Sequence, residues 1–69
     1  MSKKLDERHP LSLEKARLYV EKPKTEEEVA DYNARVENFN ARLVAEGFPA
    51  KDGLFKKKIV GGVLRTVYS

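Results

Sequence analysis

Val29, Tyr32, Val36, Phe39 and Leu43 follow one another at alternating steps of three and four residues. That spacing lays them along one stripe of an α-helix. Thr25 and Glu28 stand where a capping box belongs, and Glu26, Glu27 and Glu28 suit the positive end of the helix dipole. Gly47 supplies a left-handed stop, Phe48 is placed to fold back on Leu43 or Val44, and Pro49 blocks continuation. The pattern predicts a long helix over about 25 to 46.

After Gly53 the period changes from helical to twofold. Gly61-Gly62 lies between runs rich in β-branched residues, the signal for a hairpin with a two-residue loop. Closing the loop there pairs Val60 with Val63, Ile59 with Leu64, Lys58 with Arg65, Lys57 with Thr66, Lys56 with Val67 and Phe55 with Tyr68. Alternation then sorts the side chains. One face carries Phe55, Ile59, Leu64 and Tyr68 with Lys57 and Thr66 between them; the other carries Lys56, Lys58 and Arg65 with Val60, Val63 and Val67.

Upstream, His9-Pro10 marks a break, because the residue before proline avoids the helical region. Ser12 reads as the N-cap of a short helix from Leu13 to about Lys22, with Leu13, Ala16 and Val20 on its apolar face, Tyr19 at the edge, and Pro23 ending it. Residues 1–9 are polar and read as a flexible N-terminal segment, leaving 10–69 as a single small domain. The expected architecture is α+β: a short helix, a long amphipathic helix, and a C-terminal two-stranded β-hairpin packed on the long helix.

Size and composition bear on how such a domain is held together. A chain of 69 residues buries only about 60% of its unfolded surface. With no cysteine and one histidine, disulfides and thiolate or histidine metal sites drop out as sources of stability. Self-association or a partner is the remaining remedy, and a homodimer through the long helix makes Val29, Tyr32, Val36, Phe39 and Leu43 its candidate interface. Ala30, Ala34, Ala41 and Ala45 form a second line of small residues where the short helix or another subunit would approach closely. Asn33 and Asn40, seven residues apart beside the seam, read either as a solvated shoulder or as hydrogen-bonding groups that fix an interface.

The net charge of +3 is unevenly spread: residues 51–69 carry five bases and one acid, the first fifty nine bases and ten acids. The positive end is therefore the hairpin. The N-terminus lacks a signal-peptide core, and Ile59–Leu64, the longest uncharged apolar stretch, is too short to span a bilayer. Together with the missing cysteine, this predicts a cytoplasmic protein without a membrane partner.

No residue set points to catalysis. His9 has nothing near it in sequence to hold it against a substrate, and reads as solvated. No lysine followed by serine or threonine succeeds Gly61-Gly62, so the pair is no phosphate loop. The expectation is a non-enzymatic protein with no cofactor and no metal. Lys56, Lys57, Lys58 and Arg65 are the candidate nucleic-acid-binding residues. Against that stands the use of lysine to blunt a sheet edge. Three functions fit: a nucleic-acid-binding accessory or regulatory protein using the basic hairpin face; a protein-binding module, such as a small phage-type inhibitor or adaptor, meeting an acidic protein surface through the hairpin edge or helix face; and a homo-oligomeric structural component. The first ranks highest on charge placement.

Two short resemblances cover the junction. Leu43-Val-Ala-Glu-Gly-Phe-Pro-Ala-Lys-Asp-Gly53 resembles the helix-to-wing junction of excisionase and MerR-type winged-helix proteins, without the tight helix-turn-helix that precedes it there. With Phe55 the same stretch is similar to the G-F-P…D-G-x-F turn of peptidoglycan-binding domains, with Lys56 and Ile59 where glycine and threonine are expected. The second resemblance implies a helix after Phe55; no function is carried over from either.

Overall fold

A computed structural model describes residues 4–68. Helix α1 spans Pro10–Val20 and helix α2 Glu26–Ala45; a 3₁₀ turn at Ala50–Asp52 leads to strands β1, Lys57–Val60, and β2, Val63–Thr66. The architecture is the expected α+β, with the antiparallel hairpin lying against the long helix.

Helix α2 begins and ends as its sequence dictates. Thr25 Oγ1 accepts from the Glu28 amide at 3.1 Å, while Glu28 Oε1 accepts from the amides of Thr25 at 3.1 Å and Lys24 at 3.0 Å. Those backbone donors, Lys24 first, hold the Glu28 carboxyl below its ordinary range. At the other end Gly47, at φ 91°, completes a Schellman motif. The Gly47 amide donates to Val44 O at 3.0 Å and the Phe48 amide to Leu43 O at 3.1 Å, and Phe48 turns into the core.

Helix α1 departs from expectation in both its start and its buried face. It begins three residues earlier than the expected Leu13, with Pro10 in the first turn, where its missing N–H costs nothing. The cap is His9, whose Nδ1 accepts from the Leu11 amide at 3.1 Å and whose ring meets Phe48 edge-on at 5.2 Å. His9 is thus a half-buried structural residue rather than a solvated one. Leu11 and Leu18 are buried, whereas Leu13, Tyr19 and Val20 are exposed. Glu14 and Glu21 share the inward face and pair with Arg42 and Arg35, which fixes α1 antiparallel to α2. Two leucines and two ion pairs outweigh the smaller Leu13, Ala16 and Val20 stripe. The alanine line on α2 is exposed and receives nothing from α1.

The core consists of Leu11, Leu18, Tyr32, Val36, Phe39, Leu43 and Phe48, with Leu5 and Leu54 packed against it. Val29 is buried as well, outside that cluster. The five seam residues, expected as a homodimer interface, are therefore consumed inside one chain. Phe48 folds back on the seam as expected, while Leu11, Leu18 and Leu54 reach it from segments whose reach the local pattern does not reveal. Of the segment 1–9, residues 1–3 lie outside the described residues. Leu5 reaches the core, and the His9 amide donates to Asp6 O at 2.9 Å.

The hairpin has the expected register, from Lys57↔Thr66 to Val60↔Val63, and a Val67 amide to Lys56 O bond of 2.8 Å extends it. Gly61 and Gly62 have φ of 57° and 80°, the left-handed values of a type I′ turn. Both positions are open to solvent, so an added Cβ meets backbone strain rather than a clash. Replacing both by alanine is expected to cost about 2–4 kcal/mol at ~1–2 per residue. A thermal melt checks this, and a raised midpoint would be incompatible with the turn. The hairpin also removes the helix that the peptidoglycan-binding resemblance implied after Phe55.

Candidate functional site

Two asparagines position the hairpin. Asn33 Oδ1 accepts from the Lys57 amide and Asn33 Nδ2 donates to Lys57 O, both at 2.8 Å. Seven residues on, Asn40 makes the same pair of bonds to the amide and carbonyl of Leu54, both at 2.9 Å. Each carboxamide acts as a neighbouring strand would, satisfying one N–H and one C=O of the chain entering β1. Of the two readings of these asparagines, hydrogen bonding is the one realised, but within the chain.

Lys57 belongs to this docked face. Its Nζ donates to Glu21 O at 2.9 Å, beyond the last turn of α1, where a cation suits the helix dipole. The same ammonium lies 4.6 Å from the centroid of the Tyr32 ring. Burial, followed by the nearby Glu21 carboxylate, raises the Tyr32 hydroxyl above its ordinary value, with Arg35 opposing. Lys57, expected among the nucleic-acid-binding residues, is instead a clamp between hairpin and helices. Alternation places its side chain on the face that docks.

The outer face of the hairpin holds the other three. Lys56 Nζ is 2.9 Å from Glu37 Oε1, an exposed pair. Lys58 and Arg65 stand directly opposite each other across the ladder, both exposed, with no carboxylate partner among the described residues. Exposed Val60 and Val63 flank them toward the turn.

The inner face, carrying Phe55, Lys57, Ile59, Leu64 and Thr66, borders a groove that local sequence reasoning did not reveal. Near the turn it is a hollow of about 290 Å³ lined by Lys22, Pro23, Lys24, Ile59, Gly62 and Leu64. Toward the open end it is a hollow of about 300 Å³ lined by Tyr19, Lys22, Tyr32, Leu54, Phe55, Lys57 and Thr66. Lys22 is common to both, and no carboxylate lines either. The only early signal was Lys22-Pro23-Lys24 itself, a basic break between helices whose position beside the hairpin is set by the tertiary fold.

Among the described residues no helix is long and apolar enough to cross a membrane, and no cluster of histidine, aspartate or glutamate is grouped to hold a metal ion. Comparison of the chain with protein-family models, with curated proteins and with solved structures returns no match.

Proposed function

We propose that this is a small non-enzymatic nucleic-acid-binding protein whose basic hairpin lies along a phosphate backbone. The Lys58–Arg65 pair carries the reading. Like charges directly opposite on a ladder destabilise it, and here no carboxylate relieves them. Three other cations are relieved in this way: Arg35 on Glu21 and Asp31, Arg42 on Glu14, and Lys56 on Glu37. A phosphate group between Lys58 and Arg65 would turn local repulsion into attraction.

Such contacts position the protein without reading bases, so affinity should depend on salt and little on sequence. Two phosphate contacts give a slope of log K against log salt of about −1.8 on duplex DNA, and a third, from Lys56 exchanging Glu37 for phosphate, about −2.7. Lys58→Gln with Arg65→Gln should reduce the slope magnitude by about 1.8 and weaken all sequences alike. The thermal midpoint should hold or rise, since the repulsion goes with the charges. Fluorescence anisotropy across a salt series measures this. Absence of duplex binding at low salt would sink the proposal and return the pair to an acidic protein surface.

A further inference from the structure

We infer that the groove beneath the hairpin is a second binding site, for an unpaired stretch of nucleic acid, with bases on Tyr19 and Phe55 and phosphates on Lys22 and Lys24. The inference rests on the nucleic-acid reading of the hairpin and adds to it a surface on the opposite face. Three observations converge. The first is charge: Lys22 and Lys24 from the linker between the helices and Lys57 from β1 meet in a groove without a lining carboxylate. Two acids lie close by: both Glu21 carboxylate oxygens are bonded to the Arg35 guanidinium at 2.8 Å, and Glu28 Oε1 is taken up by the Lys24 and Thr25 amides.

The second observation is exposed aromatic surface. Tyr19 on α1 is 72% exposed and Phe55, just before β1, 51%, and both line one hollow. Tyr68, 77% exposed, meets Phe55 at 5.0 Å with the rings inclined at 61°. That contact braces the Phe55 ring while leaving half of its surface open. Rings held open beside cations are the elements of a base-stacking platform. The third observation is the lining between them, where half-buried Ile59 and Leu64 and the exposed hydroxyl-bearing Thr66 supply apolar and hydrogen-bonding contacts.

The choice of a single strand over a duplex follows from the aromatics. Paired bases keep their faces inside the stack, so a duplex offers Tyr19 and Phe55 nothing to receive. Unpaired bases present a π-face, and stacking tolerates any sequence. The outer face, with three cations and no aromatic ring, makes only phosphate contacts. One hairpin would therefore touch backbone on one side and splayed bases on the other, as at a junction between duplex and single strand.

The test uses the intact chain with an oligothymidine of about twelve nucleotides and, separately, a duplex of equal length. The chain has no tryptophan, so its fluorescence is that of tyrosine, and stacking on Tyr19 should quench it with the single strand but not with the duplex. Tyr19→Leu and Phe55→Leu keep apolar bulk and remove the π-face; each should lower single-strand affinity about tenfold and leave duplex affinity unchanged. Lys22→Gln with Lys24→Gln should reduce the single-strand salt slope by about 1.4. Single-strand affinity unaltered by both leucine variants overturns this inference while leaving the outer-face proposal intact. Loss of both affinities in Lys58→Gln/Arg65→Gln, with no binding by the groove alone, also overturns it. Failure of the unaltered chain to bind either nucleic acid overturns both readings.

Discussion

Phe39→Ala should leave this domain largely unfolded at room temperature, whereas Phe55→Ala should leave its stability nearly untouched. Phe39 is 1% exposed and Phe55 51%, so the same chemical change removes a core residue in one case and half-solvated surface in the other. Truncating a buried phenylalanine costs about 3–5 kcal/mol, a transfer term plus a cavity term. A chain of 69 residues has roughly 3–10 kcal/mol in total at the usual stability per residue. Phe39 packs where α1, α2 and the segment around Phe48 meet, so the hole opens at the centre of the only core cluster among the described residues. Urea melts followed by circular dichroism compare the two variants. The unaltered chain's midpoint should not change with protein concentration, because the seam is closed within one chain; a midpoint that rises with concentration would restore the seam as an intermolecular interface.

How much of this was legible in the sequence follows from how far each signal reaches. Helix α2 and the hairpin turn were legible because their determinants are local: Thr25 with Glu28 at one end, Gly47 with Phe48 at the other, and Gly61-Gly62 at positive φ. Helix α1 carries two apolar stripes, Leu11 with Leu18 and Leu13 with Val20. Its own sequence does not choose between them. The choice is made by the core on other segments, into which Leu11 and Leu18 pack; with that stripe inward, Glu21 and Glu14 also meet Arg35 and Arg42. The same distinction separates the cations. Alternation assigns Lys57 and Lys58 to opposite faces, and docking on Asn33 decides which face is left for a partner. The groove was the least legible, because Phe55 lies far along the chain from Tyr19 and Lys22 and only tertiary structure makes them neighbours.

Asn33→Ala combined with Asn40→Ala should release the hairpin from α2 and cost on the order of 4 kcal/mol, about 2 for each asparagine. Each truncation strips partners from one N–H and one C=O, those of Lys57 and of Leu54, in partly buried surroundings. Alanine has no group with which to replace them, and a two-stranded hairpin is marginal without something beneath it. Asn40→Asp should behave nearly as badly, since a carboxylate accepts from the Leu54 amide but meets the Leu54 carbonyl with a second oxygen where a donor stood. Gly53→Ala reaches the same end from the opposite side: a Cβ there would lie 2.4 Å from Asn40 Oδ1 and 2.8 Å from its Cγ, so the carboxamide must leave its place. Amide hydrogen exchange reports the event directly. The Leu54 and Lys57 amides should lose protection in the double variant well before the amides of mid-α2 do. Because Lys57, Phe55 and Leu64 form one wall of the groove and Tyr19 and Lys22 the other, single-strand affinity should fall along with that protection. Protected Leu54 and Lys57 amides in the double variant would mean that apolar contact alone docks the hairpin, and that the asparagines are bystanders to a surface already in place.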